Sequence, residues 1–416
     1  MNNKTILEIN GGTKGSTASI AKLAAHEAES RGYEVWQAFS LNWREDGLLF
    51  GGKRTLQPHE IKISGNLAMS VNAKIERLSG FIDCLNYFAT KKFLNRVDSL
   101  KPSIFHLHNL HGNYINLSLL FDYIKRRKIK VVWTLHDCWS FTGRCPYFTI
   151  SHCEKWRTGC HHCPTLKEYP AMYIDRTKLL WQLKRKWFTG IDRDKIIIAC
   201  PSKWLADLAK ESFLGGYDIR VIHNGINLEI FKPSPGKFRE KYNIPPEKFI
   251  VLAVASGWGV RKGFDVLVKL ARDLDDRFKI VVVGDVKGVK CDIPENILHI
   301  RRTWNAQELA EIYSDADVFA NPTKEENFPT VNLESIACGT PVVTYRTGGS
   351  PETINNTCGV VVNYEDYDSF KREIIRVCEE KIFLRENCVN YARENFASSD
   401  RMKEYVNLFD ELMTRE

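Results

Sequence analysis

The chain has 416 residues, 44% of them hydrophobic, which is too long for one ordinary core and predicts two domains. Its 59 basic against 51 acidic side chains leave a net charge of +8, which suits a phosphorylated ligand or an anionic membrane surface; no nucleic-acid-binding motif accompanies it, so nucleic acid is not expected as a partner. No apolar run is long enough for a membrane span, no signal-peptide pattern precedes the first strand, and the 12 cysteines are too dispersed for a secreted disulfide scaffold, which together predict a cytoplasmic protein.

Residues 6–9 read as a short strand and 10–17 as a Gly-rich turn. A helix over 16–31 follows, with Ile20, Leu23, Ala24 and Ala28 on one face, and then a strand over 33–39. The turn lacks the G-x-G-x-x-G spacing of a dinucleotide site, and no acid follows at 40–43, so NAD is not expected. Helical periodicity appears around 67–78, within a stretch expected to hold acceptor-side loops.

Residues 104–108 form a buried strand bearing His106 and His108, with His111 just beyond. Three histidines in six residues raise a metal site, but no acid lies beside them in the chain, and the favoured reading places His106 and His108 on one strand face lining a cleft. The strand over 131–135 delivers His136 and Asp137 to its carboxyl end, the edge where open α/β sheets bind ligands. A histidine there either hydrogen-bonds a sugar hydroxyl or phosphate or caps the next turn.

Residues 138–170 read as a loop-rich insertion carrying Cys145, Cys153, Cys160 and Cys163. Cys160 and Cys163 have the C-x-x-C spacing that clamps a tetrahedral zinc, and Cys145 and Cys153 complete a set of four; reduced thiols or a disulfide pair fit the same residues. A helix over 175–188 mixes Trp181, Trp187 and Phe188 with Lys178, Lys184, Arg185 and Lys186, a composition shared by membrane-surface helices and ordinary domain helices. Strands at 195–200 and 220–223 follow, with Ser202 capping a helix between them, and the turn-rich residues 223–236 mark a domain boundary.

In the second half, a strand over 249–255 runs towards Arg261 and Lys262, two cations set just before a helix, where the charge of a diphosphate can be matched. Strands at 279–283, 297–300, 318–322 and 342–345 alternate with helices and predict a second doubly wound domain. The most informative stretch is E-N-F-P-T-V-N-L-E-S-I-A-C-G-T-P, beginning at Glu326 and ending at Pro341. Pro329 suits the first turn of a helix, and Gly339 and Pro341 stop it. Glu326 then lies in the preceding loop and Glu334 about one turn inside the helix. The helix start at Phe328, Pro329 and Thr330 suits a phosphate, and a carboxylate on either side suits the paired hydroxyls of a ribose and a hexose. A phosphate with a sugar on each side is a nucleotide-sugar.

This stretch, with the strand-like Val342-Val343-Thr344-Tyr345 after it, resembles the retaining glycosyltransferases of family 4. The resemblance implies an α/β chain of the GT-B fold, two Rossmann-like doubly wound domains facing across a cleft. Their expected bounds are 1–230 on the acceptor side, with the 138–170 insertion, and 231–395 on the nucleotide-sugar side; a last helix within 396–416 returns to the first domain. It implies transfer of a sugar from a nucleoside-diphosphate sugar, UDP- or GDP-linked, to a hydroxyl of a growing glycan or lipid-linked acceptor, with retention and without a catalytic metal. Gly15 is then expected to face the donor phosphates, His136 the donor sugar and Thr303 the base. Lys262 and Arg261 are expected to stabilise the departing diphosphate, Glu326 to hold the sugar ring and Glu334 the ribose. Many members carry an arginine where this chain has Trp258, a charge that Arg261 is placed to supply. The segment W-S-F-T-G-R-C-P-Y resembles a subgroup acting in bacterial surface-polysaccharide synthesis, for which peripheral contact with the inner membrane face is an open expectation. Two alternatives stay open on the residues: a nucleotide-sugar epimerase of GT-B fold, and a non-catalytic sugar-nucleotide-binding relative.

Overall fold

The computed structural model describes residues 4–40, 56–234, 236–287 and 292–415; the expectations that rest on residues 41–43 and on Pro235 lie outside them. The chain divides into two compact units, one formed by Met1–Ile222 with Met402–Glu416 and the other by His223–Arg401.

The first unit is built on seven parallel strands: β1 (Thr5–Asn10), β2 (Glu34–Phe39), β3 (Glu60–Lys62), β4 (Ile104–Leu107), β5 (Lys130–Thr134), β6 (Ile196–Cys200) and β7 (Asp218–Val221). Their order is β3-β2-β1-β4-β5-β6-β7. Its helices are α1 (Ser16–Ser30), α2 (Asn66–Ser79), α3 (Tyr87–Leu100), α4 (Leu117–Arg127), α5 (Thr177–Phe188) and α6 (Lys203–Glu211). The central strands read as nearly unbroken apolar runs because parallel sheets are covered on both faces. Alternation then sorts their side chains into two cores. Leu7, Phe105, Val131 and Ile198 join one, and Ile6, Ile104, Val132 and Ile197 the other.

The second unit repeats the plan with β8 (Phe249–Gly257), β9 (Phe278–Asp285), β10 (Ile297–Ile300), β11 (Val318–Asn321), β12 (Val342–Tyr345) and β13 (Gly359–Val362). All are parallel, in the order β10-β9-β8-β11-β12-β13. The helices are α7 (Phe238–Lys241), α8 (Phe264–Asp273), α9 (Ala306–Asp315), α10 (Thr330–Ala337), α11 (Tyr367–Glu380) and α12 (Arg385–Phe396). A last helix, α13 (Ser398–Thr414), belongs to the first unit from Met402 onward, where Met402, Tyr405, Phe409 and Leu412 fill the second of its cores.

Each sheet reverses its winding once, between β1 and β4 in the first unit and between β8 and β11 in the second. At such a switch point the loops on the two sides diverge and leave a crevice beyond the carboxyl ends of the strands. The Gly-rich turn follows β1, and His108 and His111 follow β4; Arg261, Lys262 and Glu326 follow β8 and β11.

One expectation changes, and one open choice is decided. Residues 138–170 are not a separate insertion: they hold only two short 3-10 turns, yet bury Trp139, Phe141, Phe148 and Trp156 in the first core, so long-range packing supplies what local periodicity lacked. The helix α5 buries Trp181, Phe188 and also Lys184, so its aromatic side faces the protein rather than a membrane. Among the described residues no helix is long and apolar enough to cross a membrane.

Phe409→Ala tests how far the last helix holds the first unit. The ring is fully buried and lies 5.2 Å from the His106 ring. Its removal is expected to cost about 3–5 kcal/mol, read as a lower urea midpoint by tryptophan fluorescence, which reports the first unit through Trp133, Trp139 and Trp156.

Candidate active site

In the second unit, the 3-10 turn Val260–Lys262 ends at Gly263, whose φ of 74° lies in the left-handed region. A Cβ there would sit 2.1 Å from the carbonyl oxygen of Pro322, so glycine lets the loops after β8 and β11 touch. Polar contacts fasten the same approach. The Lys324 N–H donates to the Arg261 carbonyl at 2.8 Å, and the Arg261 guanidinium donates to the Glu325 carbonyl at 3.0 Å. The Lys262 ammonium forms an ion pair with the Glu326 carboxylate, whose other oxygen accepts the Asn327 N–H at 3.0 Å. Burial alone would raise the pKa of Glu326; the Lys262 ammonium, with Arg261 and the Asn327 N–H, outweighs it and holds the carboxyl below its usual range.

From this ion pair the chain enters α10. Pro329 occupies the cap position rather than the first helical turn, with extended backbone at φ −73° and ψ 108°, and offers no side-chain cap. The N–H groups of Thr330 and Val331, at the helix start, have no intrahelical carbonyl to meet. Phe328 is fixed beside them by stacking on His223 at 4.8 Å and packing against Phe396. One turn into the helix, Glu334 accepts the Tyr313 hydroxyl at 3.0 Å. Burial pushes its carboxyl up to about 7, with the Tyr313 hydroxyl opposing. The two acids of the motif thus differ: Glu326 is a paired anion, and Glu334 is poised to titrate near neutrality.

The first unit presents a polar chain at its own switch point. Both oxygens of Glu8 are taken, one by His106 Nδ1 at 2.9 Å and one by His108 Nε2 at 2.8 Å. His106 Nε2 meets the Thr134 hydroxyl at 2.9 Å, and His108 Nδ1 meets His136 Nε2 at 3.1 Å. Burial counts against charge on Glu8, but the His106 and His108 contacts outweigh it and hold its pKa at about 2. A carboxylate only accepts, so both facing nitrogens carry hydrogen. Burial pushes His108 down to about 4 and His136 well below its usual value, so both are neutral. His108 Nδ1 then accepts from His136 Nε2–H, which leaves His136 Nδ1 as an acceptor. Ligand atoms of Glu8, His106 and His108 lie within 4.8 Å of one another, a spacing that also suits a metal, but their mutual hydrogen bonds already engage both carboxylate oxygens.

Known proteins agree with this architecture. Residues 73–230 match the family described as Glycosyltransferase Family 4, and residues 236–395 that described as Glycosyl transferases group 1. The chain belongs to glycosyltransferase family 4. Over 379 residues this family 4 glycosyltransferase is 26% identical to WcaC of Escherichia coli, assigned to colanic acid biosynthesis as a glycosyl transferase, covering 87% of this chain and 90% of the relative. In structure it is similar to sucrose-phosphate synthase of Thermosynechococcus elongatus (TM-score 0.70, 16% identity, 99% and 100% of the two chains). It is also similar to HepE of Anabaena, solved with UDP-glucose (TM-score 0.67, 12% identity, 98% and 99%). The fold is GT-B.

In this transferase, Arg261, Lys262, Glu326, Phe328, Pro329, Thr330 and Glu334 follow one another around a single switch point. Thr303 lies apart, after the edge strand β10, half-buried, in a loop whose Trp304 is 86% exposed. Trp258 is buried and donates from its indole to the Val283 carbonyl at 2.9 Å, so its position supplies no charge and Arg261 and Lys262 are the cations of this turn. Gly15 precedes α1 with φ 91° and open space where a Cβ would be. No acid lies beside His106 and His108 in the chain, but the fold brings one: Glu8 is paired with His106 across neighbouring strands. His106 and His108 are buried beneath the edge rather than lining a surface. The overlooked signal was Glu8 itself, a carboxylate in the middle of a buried apolar strand.

Glu8→Gln offers one acceptor oxygen to two buried imidazole donors and is expected to cost about 1–3 kcal/mol. The contribution of this histidine chain to stability should weaken on acidification, opposite in sign to that of a buried carboxyl with a raised pKa such as Glu334. The unfolded chain protonates His108 from about 6.5 downward while the native state resists to about 4, and Glu8 adds the same sign between 4.5 and about 2. Thermal melts of both proteins from pH 7 to pH 4 check the order and the slope.

Proposed function

We propose that this glycosyltransferase moves a sugar, with retention at the anomeric carbon, from a nucleoside-diphosphate sugar to a hydroxyl of a growing glycan in surface-polysaccharide synthesis. The observation that carries the reading is the run at one switch point: Arg261 and Lys262, the Lys262–Glu326 ion pair, the start of α10, and Glu334 one turn on. The relationship to WcaC supports the polysaccharide context, and the likeness to HepE, solved with UDP-glucose, supports a UDP-linked donor.

In this reading the diphosphate rests against the start of α10 and takes Lys262 and Arg261 as counter-charges. Negative charge grows on the diphosphate as the anomeric bond breaks, and cations fixed beforehand stabilise it without reorganisation. Glu326, released from part of its contact with Lys262, accepts hydroxyls of the sugar ring. Its anionic form is a good acceptor, and its engagement with Lys262 and the Asn327 N–H makes it a poor nucleophile. We therefore favour front-side attack guided by the leaving phosphate over a double displacement. Glu334 accepts the ribose hydroxyls, Gly15 lets the backbone approach the phosphates, His136 accepts a sugar hydroxyl at Nδ1, and Thr303 approaches the base.

The acceptor is assigned as glycan or lipid-linked. Peripheral membrane contact belongs to the same proposal and rests on α2, not α5. Leu67, Val71, Ile75 and Leu78 form an exposed stripe at helical spacing, beside exposed Lys74 and Arg77.

Glu334→Ala is expected to weaken UDP binding about 10–100-fold, the worth of losing charge-assisted hydrogen bonds, by calorimetry. Glu326→Ala is expected to lower kcat about 10²–10³-fold with nucleotide affinity nearly kept; equal nucleotide affinity in wild type and Glu334→Ala overturns the ribose assignment.

The titration of Glu334 adds a pH signature. Only its ionised form accepts both ribose hydroxyls, so affinity for a UDP-sugar is expected to rise from pH 6 to pH 8 and to be flat in Glu334→Gln. Stability of the free protein runs the other way. A folded pKa of about 7 against 4.5 means that Glu334 favours the native state most below 4.5 and loses that advantage as pH rises through 7.

A further inference from the structure

We infer that Cys145, Cys153, Cys160 and Cys163 form a structural zinc site that ties down the loop between Thr142 and Arg176. The four side chains, spread over 19 residues of sequence, line one small cavity of about 20 Å³, the room of a single small occupant. All four are half-buried free thiols in a loop, whereas Cys138, Cys200, Cys338, Cys358, Cys378 and Cys388 are buried core residues that pack as small hydrophobes. The loop holds one 3-10 turn, Lys155–Arg157, and no strand or α-helix, and so long an irregular stretch needs a staple.

Two features around the cavity fit a tetrathiolate. The first is the backbone. The Gly143 N–H points at the Cys160 sulfur at 3.1 Å, and the Cys163 N–H is anchored by Asp175 at 2.7 Å. Outer-shell donors of this kind orient sulfur ligands. A Cβ on Gly143 would lie 2.9 Å from the Cys160 Cβ, so glycine is what admits the N–H to the sulfur.

The second is charge. Arg144 is 1% exposed and forms no ion pair with a carboxylate among the described residues. Its guanidinium donates to the carbonyls of Thr165, Glu168 and Pro170 and reaches the Cys163 sulfur at 3.5 Å. Lys184 is also buried and donates to the Trp139 carbonyl at 2.7 Å; burial pushes its pKa down to about 7, against the pull of Asp83 and of Cys145 and Cys160. Buried cations call for an anion. Zinc with four thiolates carries a net charge of −2, which the Arg144 guanidinium offsets and which favours the charged form of Lys184. Binding releases four thiol protons and involves no electron transfer. The same loop brings the Tyr169 hydroxyl to 3.4 Å from His111, which in turn meets Asp137 at 3.2 Å, so the staple would also position side chains at the carboxyl edge of the first sheet.

The test is the metal content and thiol count of the purified full chain. We expect one zinc per chain, replaceable by cobalt with the sulfur-to-metal charge-transfer and ligand-field bands of a tetrahedral tetrathiolate. Cys160→Ser with Cys163→Ser should remove the metal, and Cys84→Ser, outside the cluster, should keep it. If the double variant does not fold, cobalt titration of the wild type decides by itself. Protein that carries no zinc and gives no tetrathiolate spectrum overturns the inference, as does an intact mass showing the four cysteines joined in disulfides.

Discussion

The ion pair between Lys262 and Glu326 holds together two loops that the sheet topology alone would let diverge. Parallel winding opens a crevice between the loops that follow β8 and β11. Here it is spanned at Gly263, where backbone meets backbone, and at the ion pair, where charge meets charge. Removing one member of a partly buried pair leaves the other uncompensated, at a cost approaching about 3–5 kcal/mol when burial is complete. The pair is therefore a brace that fixes the Lys262 cation at the carboxyl end of the sheet.

The same topology explains why the two units divide the chemistry. In each, every strand delivers its carboxyl end to one edge, and the reversal of winding selects two loops at that edge. In the second unit those loops carry cations, a helix start and carboxylates. In the first they carry a glycine turn, the neutral His108, and His111, which Asp137 holds towards its charged form against burial. Anionic groups suit the former and hydroxyls the latter, and the difference was laid down by side chains on otherwise similar scaffolds.

Local signals in the sequence were read well. Glu326, Glu334 and the helix between them are close in the chain, so their spacing states their geometry, and most strands followed from unbroken apolar runs, whereas β7 begins two residues before its expected place and the short edge strands β3 and β13 were not expected. What escaped was non-local. Glu8 and His106 are 98 residues apart and meet only because β1 and β4 are neighbours. Lys184 reads as one of several surface lysines until α5 is packed, when its ammonium is found over the Trp139 ring. Trp139, Phe141, Phe148 and Trp156 show no periodicity because a loop, not a helix or strand, carries them into the core. The role of Pro329 missed by one position, since a proline before a helix and one inside its first turn share the same fixed φ.

The histidine chain shows how a buried carboxylate sets the behaviour of a group two contacts away. Glu8 can only accept, so it dictates the hydrogen on His108 Nε2; neutrality of His108 then dictates the hydrogen on His136 Nε2 and leaves Nδ1 with its lone pair. Reversing the chain would require a second proton in a place where burial drives both His108 and His136 towards neutrality. Thus His136 is an acceptor by construction, fitted to a hydroxyl that donates and ill fitted to a phosphate oxygen, which has no hydrogen to give.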